Sequence, residues 1–265
     1  MSVDRETLTR LYFQNDMPCP YDLKCGYTLY ISPIKLKDWG AFAEYINILD
    51  IKKNRIDDIN IIKMSYLEFL FHLISENKNY SEAFANVLFY SLGEEHCFFT
   101  TDKNNRIVLC LCDSDKNIKG FITSKEFDDI KLIILYQNLV NYDDRYVDPD
   151  VEQLKEDYYR IKYRNSKTPS LEEQKTYVIA KTGLTMEKLN DMTYRTFSQV
   201  YDHAIGDFLY IGHKIIQGSY KYKVDKDIVH PLYEKKRDEY EEIFTSGETL
   251  AQKGISGTEK LNGIM

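Results

Sequence analysis

Two cysteines one residue apart, Cys110 and Cys112, sit in the apolar run RIVLCLC, and His96-Cys97 open a second run just upstream. On neighbouring strands alternate residues share a face, so a thiolate and imidazole zinc cluster is the first chemistry to weigh. Structural zinc sites join CxxC-type turns to a second ligand pair, and a CxC with one further ligand across a hairpin falls short of that. Buried thiols acting as small apolar groups are the expectation. Asp113-x-Asp115-x-Asn117 imitates the first three ligands of a calcium loop. Ile118 then stands where the sharp turn requires Gly and Ser124 where a bidentate Glu belongs, so a polar hairpin turn is expected instead.

The histidines are His72, His96, His203, His213 and His230. His203 and His213 are ten residues apart on one expected helix, which turns them about 80° from each other and rules out an i, i+4 ligand pair. The acids pair as neighbours (Asp57-Asp58, Asp128-Asp129, Asp143-Asp144), and adjacent side chains diverge on a helix or a strand. Solvated faces suit them better than a general acid and base. No GxSxG, HExxH, GxxxxGK(S/T) or GxGxxG string occurs, so no catalytic, metal or cofactor residue is expected.

Rings are the abundant resource: 22 Tyr and 13 Phe against one Trp. Tyr158, Tyr159, Tyr163 and Tyr177 join a downstream set, Tyr194, Phe197, Tyr201, Phe208, Tyr210, Tyr220 and Tyr222. Two uses stand open, core packing with hydroxyls at the boundary, or an amphipathic surface that meets a partner protein. The downstream set is the candidate partner-binding surface. Stacking on single-stranded nucleic acid by Tyr220-Lys221-Tyr222-Lys223 is disfavoured by the net charge of −7.

The elements that would position these residues are mostly helices. Residues 1–25 lack periodicity and read as an arm, and YTLYISPI from Tyr27 reads as a short strand. A helix follows from Asp38 with a stripe of Trp39, Phe42, Ile46 and Leu49. Ser65-x-x-Glu68, Thr123-x-x-Glu126 and Ser170-x-x-Glu173 are capping boxes, Asp148-Pro149 is an N-cap with Pro at N1, and Gly93 and Gly183 are natural stops. Thr185 and Thr193 cap a short and a long helix. Between 96 and 123, CFFT, RIVLCLC and IKGFIT predict an antiparallel meander. Pro231 opens a charged helix, and the Gly- and Ser-rich residues after Thr245 read as a tail.

The fold class expected is therefore mainly α (α+β): arm 1–25, an α+β region 26–123 holding the meander, a helical region 124–222, and a charged helix with a tail over 223–265. With 265 residues, 43% of them hydrophobic, there is material for a core. The opening MSVDRETLTRLYFQ is charged every few residues and no ~18-residue apolar run follows, so a soluble intracellular protein without membrane contact is expected. Five cysteines argue for reduced thiols rather than a disulfide framework.

Five stretches between residues 25 and 217 resemble the tail assembly chaperone-like proteins of phages that infect low-GC Gram-positive bacteria. They are YTLYISPIKLKDW (27–39), IKMSYLEFLF (62–71), SKEFDDIKLIILYQN (124–138), the Asp148-Pro149 helix start and GLTMEKLNDMTYRTF (183–197). The resemblance implies a helical body with a β insertion, no catalytic residue and no cofactor. It also implies a role in the host cytoplasm, holding the tape-measure protein soluble while tail-tube subunits assemble. Tail-tube protein and a second copy of the chain are further candidate partners. The alternatives are a structural tail or baseplate protein retained in the virion, and an enzyme whose site carries no familiar motif.

Overall fold

The computed structural model describes residues 4–56, 58–93, 96–164 and 168–219. It is mainly helical with two small antiparallel sheets, an α+β fold. Two compact units are distinguished: the first takes the chain up to Tyr146 together with Pro169–Ile205, the second Val147–Thr168 and the residues from Gly206.

In the first unit the chain opens on α1 (Arg5–Leu11), whose first amides donate to the Asp4 carboxylate. It continues through a 3-10 turn to β1 (Cys19–Asp22), which pairs antiparallel with β2 (Thr28–Ile31), Cys19 opposite Ile31. The expected arm is thus part of the body. Phe13 and Cys19 are buried in the main core, and Asp16 accepts from the hydroxyls of Thr193 and Thr196 at 2.6 and 2.9 Å. Its periodicity is hidden because the helix is only two turns long and each later anchor is a single residue.

The helix expected from Asp38 starts two residues earlier, with no side-chain cap on Lys35, whereas later helices start at their caps. Helix α2 spans Leu36–Tyr45, and Ile46–Leu49 tighten into a 3-10 turn that extends the buried stripe from Phe42 through Ile46 and Leu49. Short α3 (Ile59–Lys63) leads to α4 (Tyr66–Glu76), where the Ser65 amide donates to Glu68 at 2.9 Å and the Glu68 amide donates back to Ser65 Oγ at 3.2 Å. Helix α5 (Lys78–Leu92) stops at Gly93, whose φ of 68° is left-handed and costs a side chain strain that Gly avoids.

The meander is as expected, β3 (His96–Thr101), β4 (Ile107–Cys112) and β5 (Ile118–Ile122) in that spatial order. Leu109, Leu111 and Ile122 turn to the core. Gly120 sits at a close approach: a Cβ there would lie 3.1 Å from Cys25 Sγ and from Tyr27 Cβ, so a side chain would need its neighbours to give by a few tenths of an ångström. Helix α6 (Ser124–Gln137) packs against α4 in that same core through Phe127, Ile130 and Ile134. Each such side chain taken from water contributes roughly 1.5–3 kcal/mol.

A smaller cluster joins Leu36 of α2, Val178 of α8 (Leu171–Thr182), Leu189 of α9 (Met186–Asp191) and Phe197 of α10 (Tyr194–Gly218). Backbone bonds fasten the start of α10 beside α2: the Leu36 amide donates to Met192 O at 2.8 Å and the Tyr194 amide to Ile34 O at 2.9 Å.

The second unit holds α7 (Pro149–Lys162) and the part of α10 from Gly206. Asp148 caps α7 by accepting from the Asp150 amide at 2.9 Å. The charged helix and tail expected beyond Tyr220 lie outside the described residues.

Candidate functional site

Within the second unit, α10 is strongly one-sided. At 100° per residue Phe208, Leu209, Ile211, Gly212, Ile215 and Ile216 occupy an arc of about 160°, while Asp207, Tyr210, His213, Lys214 and Gln217 occupy the rest. The apolar arc faces solvent: Ile211 is 58% and Ile215 69% exposed, and Leu209 and Ile216 are exposed as well. On α7, Leu154, Tyr158 and Ile161 form a second stripe at i, i+4 and i+7, with Ile161 74% exposed. Large aliphatics grouped on one helix face are the feature that marks interaction surfaces on soluble proteins.

The aromatic residues expected to meet a partner are divided by the structure. Phe197 is 1% exposed and serves the small core. Tyr194 lies flat on Trp39, ring centroids 3.5 Å apart and planes 3° from parallel. Tyr201 stacks on Phe197 and meets Tyr177 edge-on, with centroids 6.3 and 6.0 Å apart. These three rings pack within the first unit, because Thr193 starts the helix where α2, α8 and α9 already converge. Phe208 lies on the exposed arc. Tyr210 lies on the opposite side of the helix, its ring 5.5 Å from the Lys214 ammonium. Tyr220 and Tyr222 lie outside the described residues. The exposed aliphatics beside Phe208 lie outside the ring set, although their 3–4 spacing is a legible amphipathic signal.

The cysteine and acidic motifs resolve into structure. Cys110 and Cys112 are buried on the meander face away from the core, flanked by the exposed Phe98, Ile118 and Phe121. Burial raises the Cys110 thiol above its ordinary range, and the neighbouring Cys112 adds to it. Cys97 pairs with Leu111 and so faces the other way. Among the described residues no three His, Cys, Asp or Glu side chains gather closely enough to hold a metal ion. Asp113 accepts from the amides of Asn117 and Asp115 at 2.8 and 2.9 Å, which makes it the anchor of the β4–β5 turn. Those donors hold its carboxyl below the usual range.

A cluster that motif reading missed lies inside the first unit. Lys131, on α6, is 4% exposed. Its ammonium sits 3.6 Å from the centroid of Tyr66 and 3.8 Å from that of Tyr142, between two ring faces. The residue lines a cavity of about 280 Å³ with Lys53, Asn54, Asp128 and Asp144 among the other walls. Lys53 is satisfied, donating to Asn54 Oδ1 at 2.8 Å and Ile62 O at 2.9 Å. Lys131 has no such acceptor and joins none of the ion pairs found among the described residues. The Tyr142 hydroxyl is likewise buried and lies beside the Asp144 carboxylate, whereas the Tyr66 hydroxyl donates to Ile48 O at 2.9 Å. Burial pushes the Lys131 ammonium down to about 8, against the pull of Asp128 and Asp144. Burial also raises Asp128 and Tyr142 above their ordinary ranges. The sequence did hold a signal, a lysine midway along the Phe127, Ile130, Ile134 stripe of a buried helix face.

No family model, curated protein or solved structure matches the chain.

Proposed function

We propose that the protein is a non-enzymatic binding protein that grips an apolar polypeptide through the exposed arc of α10, and that this polypeptide is the tape-measure protein of a phage tail. The observation that carries the binding role is the grouping of Leu209, Ile211, Ile215 and Ile216 in solvent on one helix face. An amphipathic helix of this kind recognises extended or helical apolar partners by laying its stripe along theirs. A net charge of −7 keeps the complex soluble while that surface is occupied. The choice of partner rests on the resemblance of residues 27–39, 62–71, 124–138 and 183–197 to tail assembly chaperone-like proteins.

Co-expression with the tape-measure protein encoded in the same genome tests the reading. The expected result is a raised soluble yield of the tape-measure protein and its co-purification with this chain, with this chain absent from purified particles. Unchanged solubility together with no complex would refute the chaperone role. A stoichiometric signal in purified particles would assign the chain to the tail structure.

A further inference from the structure

The Lys131 cavity has no part in gripping a polypeptide, yet it is built like a reactive site. A largely buried lysine whose ammonium faces a cavity and joins no ion pair is costly unless something offsets it, and here two tyrosine faces do so, together with the longer-range pull of Asp128 and Asp144. The charge around it is balanced: Lys53 and Lys131 stand against Asp128 and Asp144, so the cavity offers no net attraction to an anion. The ring faces favour a cation at the position of the side-chain nitrogen and disfavour a negative group there. A neutral ligand that reacts with the amine and leaves a positive charge at the same nitrogen satisfies both conditions. We propose that Lys131 is a nucleophilic amine that captures a small neutral aldehyde or ketone in this cavity as an iminium.

The step balances without any oxidant or reductant. The ammonium passes a proton to the Asp128 carboxylate, one turn earlier on α6 and on the same cavity wall. The amine lone pair attacks the carbonyl carbon, the C–N bond forms, and the carbonyl π pair moves to oxygen. Nitrogen then loses a second proton, the carbinolamine oxygen takes up both, and it leaves as water while nitrogen's lone pair closes the C=N bond. Protonated lysine plus carbonyl compound gives iminium plus water, with the positive charge still between Tyr66 and Tyr142. A lysine near 8 is roughly 10% neutral at pH 7, against about 0.04% for one at the ordinary 10.4, which favours attack by Lys131 over surface lysines.

The test uses the full chain and propanal at substoichiometric concentration, with borohydride to fix the iminium as a propylamine, followed by peptide mapping. Labelling of Lys131 at least tenfold faster than of the exposed Lys188 is expected, with the label at that peptide lost in Lys131→Met. Tyr142→Phe, which keeps the ring face and removes the hydroxyl, should retain the preference. Label spread evenly over surface lysines with Lys131 unmodified, in protein whose circular dichroism is that of the folded chain, would overturn the proposal. Because the labelling is read on unmodified-sequence protein, a variant that fails to fold leaves this outcome decisive, and neither result depends on whether a tape-measure protein binds α10.

Discussion

Replacing Lys131 with Met should remove a stability penalty that the wild-type chain carries at neutral pH and sheds only in alkaline solution. A fall from 10.5 to about 8 corresponds to ~3 kcal/mol of unfavourable interaction with the charged form. The groups responsible surround the amine. Asp128 faces it from α6, Asp144 from the segment after α6, Lys52 and Lys53 from the turn before α3, and the Tyr66 and Tyr142 rings close the cage. Between pH 8 and 10 the unfolded chain keeps the Lys131 proton that the folded chain has released. The unfolded state therefore binds more protons there, and stability rises with pH by up to ~1.4 kcal/mol for each pH unit. Above about pH 10 the sign reverses, because burial raises the phenols of Tyr66, Tyr142 and Tyr21. Unfolded tyrosines then ionise while these stay protonated, and both proteins lose stability. Urea denaturation at pH 7, 8, 9 and 9.5 reads the effect as a wild-type stability that climbs relative to Lys131→Met by ~2 kcal/mol over that range. Parallel curves for the two proteins would show that Lys131 is hydrated and ordinary, and the account of the cavity would fall with them.

Three further outcomes are expected. The triple change Leu209→Ser, Ile211→Ser and Ile215→Ser removes side chains about half exposed, each worth ~1 kcal/mol on burial by a partner. Binding of the proposed tape-measure partner should weaken about 100-fold in a pull-down titration, with little change in the melting temperature. Phe197→Ala should cost ~3–5 kcal/mol in urea melts by emptying the small core, and a cost below ~1 kcal/mol would contradict its packing role. Glu126→Ala should cost ~2–4 kcal/mol, since the buried carboxylate accepts from the Lys24 amide at 2.7 Å as well as from the Thr123 amide at 2.9 Å. Glu173→Ala, in the same motif but in solvent, should change the melt far less, and equal losses would show that burial is not what sets the cost.

The caps and turns were legible from residue order because their causes are local. Ser65, Ser170, Asp148 and Thr193 act on amides two or three residues away, Glu126 reaches back to the Thr123 amide, and Gly93 needs only its own φ. The meander and the buried stripe of α6 were legible for the same reason, as periods of 2 and 3.6 written along the chain. The arm was not, since Phe13 and Cys19 earn their burial from residues far away in the sequence. Nor could ring content tell Phe197, enclosed by α2, α8 and α9, from Phe208 on the same helix. Lys131 is the sharpest case: its neighbours on α6 announce a core helix, but only the convergence of Tyr66 and Tyr142 on one amine turns a misplaced charge into a site. Helix starts and strand periods follow from bonds between near neighbours, whereas exposure, cavities and shifted protons depend on which distant elements meet, and that is settled by packing.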